Sequence, residues 1–195
     1  LLYEVAGWEV YAGEVVLASA FIIIMALINI RGIKQAAWMQ TAIALTLVGC
    51  ILIVTFFVLS ISDWSNLAPG FPEGRHWWKG VFSIVAMAPW AFIGFDCIPQ
   101  SAEEYNFSHK KSTGIMITAI LMAALLYVAI CIVTAAGLKP WQELLAERNN
   151  WPTGYVVRNT LGVAGLITLG TAMFCAVVSG MNAFYISTSR LMYAM

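Results

Sequence analysis

The chain has 195 residues, 61% of them hydrophobic and only 10% charged, with a mean hydropathy of +0.83. A soluble domain runs at about 45–50% apolar and about 25% charged, so water is excluded as the main solvent of this chain. Ten Lys+Arg against ten Asp+Glu exclude a basic nucleic-acid footprint and a polybasic surface anchor, and eight Trp, ten Phe and seven Tyr exclude intrinsic disorder.

A hydrocarbon core about 30 Å thick takes roughly 20 residues of helix, and backbone inside it must satisfy its own hydrogen bonds. The first apolar run spans about 13–30 and stops at Arg31-Gly32-Ile33-Lys34. The second spans about 37–60 and ends before Ser62-Asp63. A loop with Pro69, Gly70, Pro72 and Gly74, then Trp77 and Trp78 at an interfacial position, leads into the third, about 80–104. The polar stretch from Glu103 to Ser112 precedes the fourth, about 114–137. A connection carrying Trp141 and Trp151 precedes the fifth, about 162–193. The predicted architecture is a single all-α membrane unit over 1–195, with five transmembrane helices. Starting at Leu1 and stopping at Met195 within an apolar helical pattern, it reads as a fragment of a longer membrane protein.

Orientation follows from where the basic residues fall. Arg31, Lys34, Lys110, Lys111 and Arg190 lie on one side, in the shorter loops near helix ends where the positive-inside rule has most force. Arg75, Lys79, Lys139, Arg148 and Arg158 lie on the other. The end of the first span is thereby placed in the cytoplasm. Cys50, Cys97, Cys131 and Cys175 stand apart from one another, without zinc or redox spacing, and His76 and His109 fall in polar connections. No metal and no cofactor is predicted.

The third span is anomalous. It is apolar from Val81 to Phe95, too short to cross untilted, and then turns polar through Asp96, Gln100, Ser101, Glu103 and Glu104. Pro89 and Pro99 bracket Trp90-Ala-Phe-Ile-Gly94-Phe-Asp96. Proline removes a backbone donor and glycine admits conformations denied to other residues, so the expectation is a helix broken at membrane depth. Freed carbonyls at such a break bind ions and charged solutes; a plain proline kink is the alternative. Asp96 is the only acidic residue away from the ends of an apolar span. Its desolvation cost marks it for coupling, and capping the second half-helix is its competing role.

These residues also carry a resemblance. Trp90-Ala-Phe-Ile-Gly-Phe-Asp96, then Ser101-Ala-Glu-Glu104 and Asn106, is similar to the sixth-helix signature of amino acid permeases of the amino acid–polyamine–organocation superfamily. Leu27-Ile-Asn-Ile-Arg-Gly-Ile-Lys34 resembles the junction of helices four and five, and Ser187-Thr-Ser-Arg-Leu-Met-Tyr-Ala194 the end of helix eight. The matches keep the family's order and cover nearly the whole chain. The resemblance implies helices four to eight of a twelve-helix bundle, part of a leucine-transporter-like inverted repeat. It departs from the family at Asn106-Phe-Ser-His and Thr113, and it puts Leu47 where some members carry a coupling lysine.

By the same resemblance, the backbone oxygens of Trp90 and Ile93 would hold a substrate ammonium, with Gly94 allowing the break. Glu103 and Glu104 would sit at an inner gate, and Ser179 and Gly180 near a cation position. Phe184 would face the substrate, and Asn182 would serve either the substrate or the cation. Small residues at Ala172, Ala176, Ser179, Gly180, Ala183 and Ser187 trace one helical face suited to close packing. The function expected is secondary active transport of an amino acid or related amine across the cell membrane by alternating access, coupled to H+ or Na+ or by exchange. The partners are that solute and the lipid bilayer, with no nucleic acid. An enzyme should carry ionisable or metal-ligand groups on more than one span, and only Asp96 qualifies. The alternative is a channel or a structural membrane subunit.

Overall fold

The computed structural model describes residues 2–5, 8–71, 76–95, 108–146 and 151–195. Two short strands come first, β1 (Tyr3–Val5) and β2 (Trp8–Val10), paired antiparallel with Tyr3 opposite Val10 and Glu4 opposite Glu9. This hairpin is too short to appear as an apolar run and is absent from the sequence reading. Helix α1 (Ala12–Ile30) starts where the Tyr11 amide donates to the Glu14 carboxylate at 3.2 Å and the Glu14 amide donates to the Tyr11 carbonyl at 3.0 Å. The Tyr11 phenol donates to Glu9. That bond, then burial and the Glu14 charge, hold its pKa above the ordinary tyrosine value.

Helix α2 (Ile33–Ile61) follows after a tight turn at Gly32, whose φ of 123° belongs to glycine. A 3-10 turn (Trp64–Leu67) is capped by Asp63, whose carboxylate accepts from the Ser65 amide at 2.9 Å and is held below its ordinary pKa by that bond. Helix α3 (Trp77–Ala91) has 15 residues; α4 (His109–Ala136) has 28; α5 (Trp141–Ala146) is a short connection; α6 (Pro152–Ala194) has 43. At 1.5 Å per residue α1, α2 and α4 measure about 28, 44 and 42 Å, each enough for a bilayer. Among the described residues four helices, not the five expected, are long and apolar enough to cross a membrane, namely α1, α2, α4 and α6; α3, with 15 residues, is too short.

Helix α6 is not one rod. Gly162 sits inside it at φ 67°, ψ −154°, a kink between two helical stretches. The apolar run read from the sequence starts at this kink, but the helical chain reaches back to Pro152, where proline suits a first turn. Similarly, α4 begins at His109 rather than near Gly114, because Lys110 and Lys111 extend the helix as a polar turn outside the apolar run.

Helix α6 runs antiparallel along α2 and makes the most extensive helix–helix contact described. At one end Val54 and Val58 of α2 meet Val156, Val157 and Leu169 of α6, with Val133 of α4 and Leu144 of α5, in a core that excludes solvent. Gly137 closes this core. A Cβ there would lie 2.4 Å from Val156 Cγ1, 2.6 Å from the Val133 carbonyl and 3.0 Å from Val58 Cγ1, so only glycine fits. The buried Asn66 amide donates to the Ala136 carbonyl at 3.0 Å and so ties the loop after α2 to the end of α4. The buried stripe of α6 is Leu169, Ala172, Cys175, Val178 and Asn182. Of the small residues read as one face, Ala172 and Ser187 are buried and Ala176 is exposed. Elsewhere α1, α2 and α4 expose rows of large apolar side chains (Ile22, Ile23, Phe56, Leu121, Leu125), as a surface facing lipid does.

Candidate substrate and coupling site

Helix α3 ends inside the apolar stretch from Val81 to Phe95. Pro89 stands within its last turn, and the chain leaves the helix at Phe92, whose amide donates to the Pro89 carbonyl at 3.3 Å. A proline cannot donate to the carbonyl four residues earlier, which weakens the helix just before it stops. The turn 92–95 then passes through Gly94 at φ 102°, a conformation that L side chains rarely adopt. Trp90 and Ile93 are exposed on either side of the helix end, Trp90 at 82%. None of the described α3 residues is buried, and α3 is packed extensively against no other described element. Its end is held by Tyr127 of α4, whose hydroxyl donates to the Ala91 carbonyl at 2.8 Å. The Tyr127 ring meets the Phe92 ring edge to face at 5.8 Å, and Phe92 in turn meets Phe95 at 5.9 Å. Asp96, Glu103 and Glu104 lie outside the described residues.

A second group assembles on α6. Asn182 is fully buried, at 0% exposure. Its Oδ1 accepts from Asn29 Nδ2 of α1 at 3.0 Å, and its Nδ2 donates to Gln40 Oε1 of α2 at 3.0 Å and toward the Ala36 carbonyl at 3.5 Å. Gln40 Nε2 donates to Ser179 Oγ at 2.6 Å, and Asn29 Nδ2 also donates to the Met25 carbonyl at 2.9 Å. Four polar side chains from three helices thus bond one another between membrane-length segments. Buried amides are tolerated there only when bonded. Tyr185 adds a tie from α6 to the Ile22 carbonyl of α1 at 3.0 Å. Gly180 has open space where a Cβ would be, and Phe184 is half exposed.

The structure therefore gathers Ser179, Gly180, Asn182 and Phe184 on one helix, and Trp90, Ile93 and Gly94 at the end of another. No side-chain hydrogen bond or ring contact joins Trp90 or Ile93 to the α6 group among the described residues. Asn29, Gln40 and Tyr127 were not singled out from the sequence. The signal for the first two was available: an amide in or beside an apolar span is costly unless it finds a partner. No group of three or more His, Cys, Asp or Glu side chains converges among the described residues, as a metal set would require.

A family model described as amino acid permease matches residues 4–195. The chain belongs to the amino acid permease family. Within that family it is 26% identical over 91% of its length to a methylthioribose transporter of Bacillus subtilis (strain 168). It is 28% identical over 90% of its length to the branched-chain amino acid permease BcaP of the same organism, and 28% over 94% to human cationic amino acid transporter 4. It spans 37%, 37% and 27% of those relatives respectively, about a third of their length. No solved structure matches it significantly. Family membership and the four membrane-length helices together make this a largely helical, multi-pass membrane chain of a family of transporters.

Proposed function

We propose that the protein is a secondary active transporter of an amino acid or related amine in the cell membrane. It works by alternating access, driven by H+ or Na+ or by exchange. The observation that carries this reading is the end of α3. The helix stops at Ala91 within an apolar stretch and turns through Gly94, which puts main-chain carbonyls where a membrane-crossing helix would bond them internally. An ammonium offers donors and no acceptor, whereas a carbonyl is an acceptor only, so the oxygens of Trp90 and Ile93 suit the amino end of a solute. The Trp90 ring is exposed beside them and adds a face for a cation. On this reading 80–104 is one broken span of a leucine-transporter-like inverted repeat. Asp96 is its coupling carboxyl, and Glu103 and Glu104 form part of an inner gate. Phe184 shapes the solute's surroundings, and Asn182 with Ser179 and Gly180 serves the solute or the coupling cation.

Two of the relatives' names, branched-chain amino acid permease and cationic amino acid transporter, support an amino acid as solute without choosing one, whereas the methylthioribose of the third is a sugar without an amino group. The test is uptake by the whole protein in liposomes, with labelled leucine, arginine and putrescine supplied in turn under an imposed proton or sodium gradient. Saturable, gradient-driven accumulation of one of them is the result expected. Unsaturated ion conductance would replace the carrier by a channel, and the absence of any flux would overturn the reading.

A further inference from the structure

A helix end leaves its last carbonyls without helical partners, and which of them stay available decides what the end can bind. At the end of α3 the carbonyl of Pro89 is used by the Phe92 amide, and that of Ala91 by the Tyr127 hydroxyl at 2.8 Å. Tyr127 also presses its ring on Phe92 at an interplanar angle of 79°. It therefore grips two successive residues at the point where the helix stops, from a position 36 residues along the chain. Helix α3 has no buried side chain among those described, so this two-point grip acts at its end and not along its length.

We infer that Tyr127 is a positioning residue for the binding segment. This rests on the transport reading given above. The hydroxyl takes the Ala91 carbonyl out of play and the ring fixes Phe92, so the turn 92–95 holds one conformation and the ammonium meets the neighbouring oxygens of Trp90 and Ile93. The chemistry of the donor matters. A phenol satisfies a carbonyl without adding charge, whereas a lysine or arginine in its place would set a cation against the cation to be bound.

Tyr127→Phe deletes the hydroxyl bond and keeps the ring contact. Phe92→Leu deletes the ring contact and keeps the hydroxyl bond. Both are to be made in the whole protein in liposomes, read by hydrogen–deuterium exchange of the peptide covering 88–95 and by uptake of leucine or arginine, whichever the unmodified protein carries. For Tyr127→Phe we expect exchange in 92–95 to quicken several-fold. KM should rise about three- to ten-fold with the maximal rate within two-fold, a split that a general loss of folded protein does not produce. Phe92→Leu should move both readouts in the same direction by less. Unchanged exchange in Tyr127→Phe would overturn the grip. Faster exchange with unchanged KM would overturn its role in binding. Unmodified protein without saturable uptake would overturn the transport reading and the KM half of the inference, while the exchange result would still decide the grip.

Discussion

The amide cluster between α1, α2 and α6 gives the sharpest quantitative test. Asn182→Ala removes the acceptor of Asn29 and the donor to Gln40, two bonds of 3.0 Å. Side-chain hydrogen bonds between membrane helices contribute on average about 0.6 kcal/mol each and at most about 1.7 kcal/mol. Gln40 Oε1 then loses its donor in a half-buried setting, which costs about 1–2 kcal/mol more. The expected loss is therefore about 2–4 kcal/mol, measured by equilibrium unfolding in mixed micelles of mild detergent and dodecyl sulfate. Gln40→Ala breaks its bonds to Asn182 and Ser179 and should lose a similar amount. Because both variants delete one shared bond, the double variant should lose less than the sum, with a coupling of about 0.5–2 kcal/mol. Single variants within about 0.5 kcal/mol of the parent, or strictly additive losses, would refute a bonded cluster.

Gly137→Ala should be destabilised by about 1–3 kcal/mol through overpacking against Val156 and Val58, seen as a lowered melting temperature of the detergent-solubilised protein. Gly162→Ala should also lose about 1–3 kcal/mol in the same assay, although space is open around it, because its φ of 67° at ψ −154° is nearly closed to alanine. Gly49→Ala, equally unobstructed but in the regular helix α2, should instead gain up to about 1 kcal/mol. The Asp63 cap has a folded pKa below its ordinary value of 3.8, so its stabilising effect is complete above that value and is lost as pH falls through the lowered folded value. Asp63→Asn should abolish that acid-side decline in a pH series of melting temperatures. For uptake, Asp96→Asn should alter the pH profile, and an unaltered profile would remove Asp96 from coupling.

The helices were legible because an apolar run long enough for a bilayer has few other ways to satisfy its backbone. Their ends were less so. His109–Lys111 and the segment from Pro152 to Leu161 are helical without belonging to an apolar run, and periodicity gives them no weight. The stop of α3 was legible from Pro89 and Gly94, since both act through the local backbone. The packing of α2 against α6 was not, because exposed and buried positions on these helices are equally apolar. That uniformity also hid the true stripe through Leu169, Cys175 and Val178. Asn29 and Gln40 were not singled out, because the side chain that completes them is Asn182, far along the chain.

That separation bears on biogenesis. Gln40 and Asn182 are 142 residues apart and Asn29 and Asn182 are 153 apart. At a ribosomal pace of about 5–20 residues per second, roughly 7–30 s pass between the making of the first amides and the arrival of the third. Through that interval the hairpin of α1 and α2 waits in or beside the translocon with two polar groups lacking their final mate.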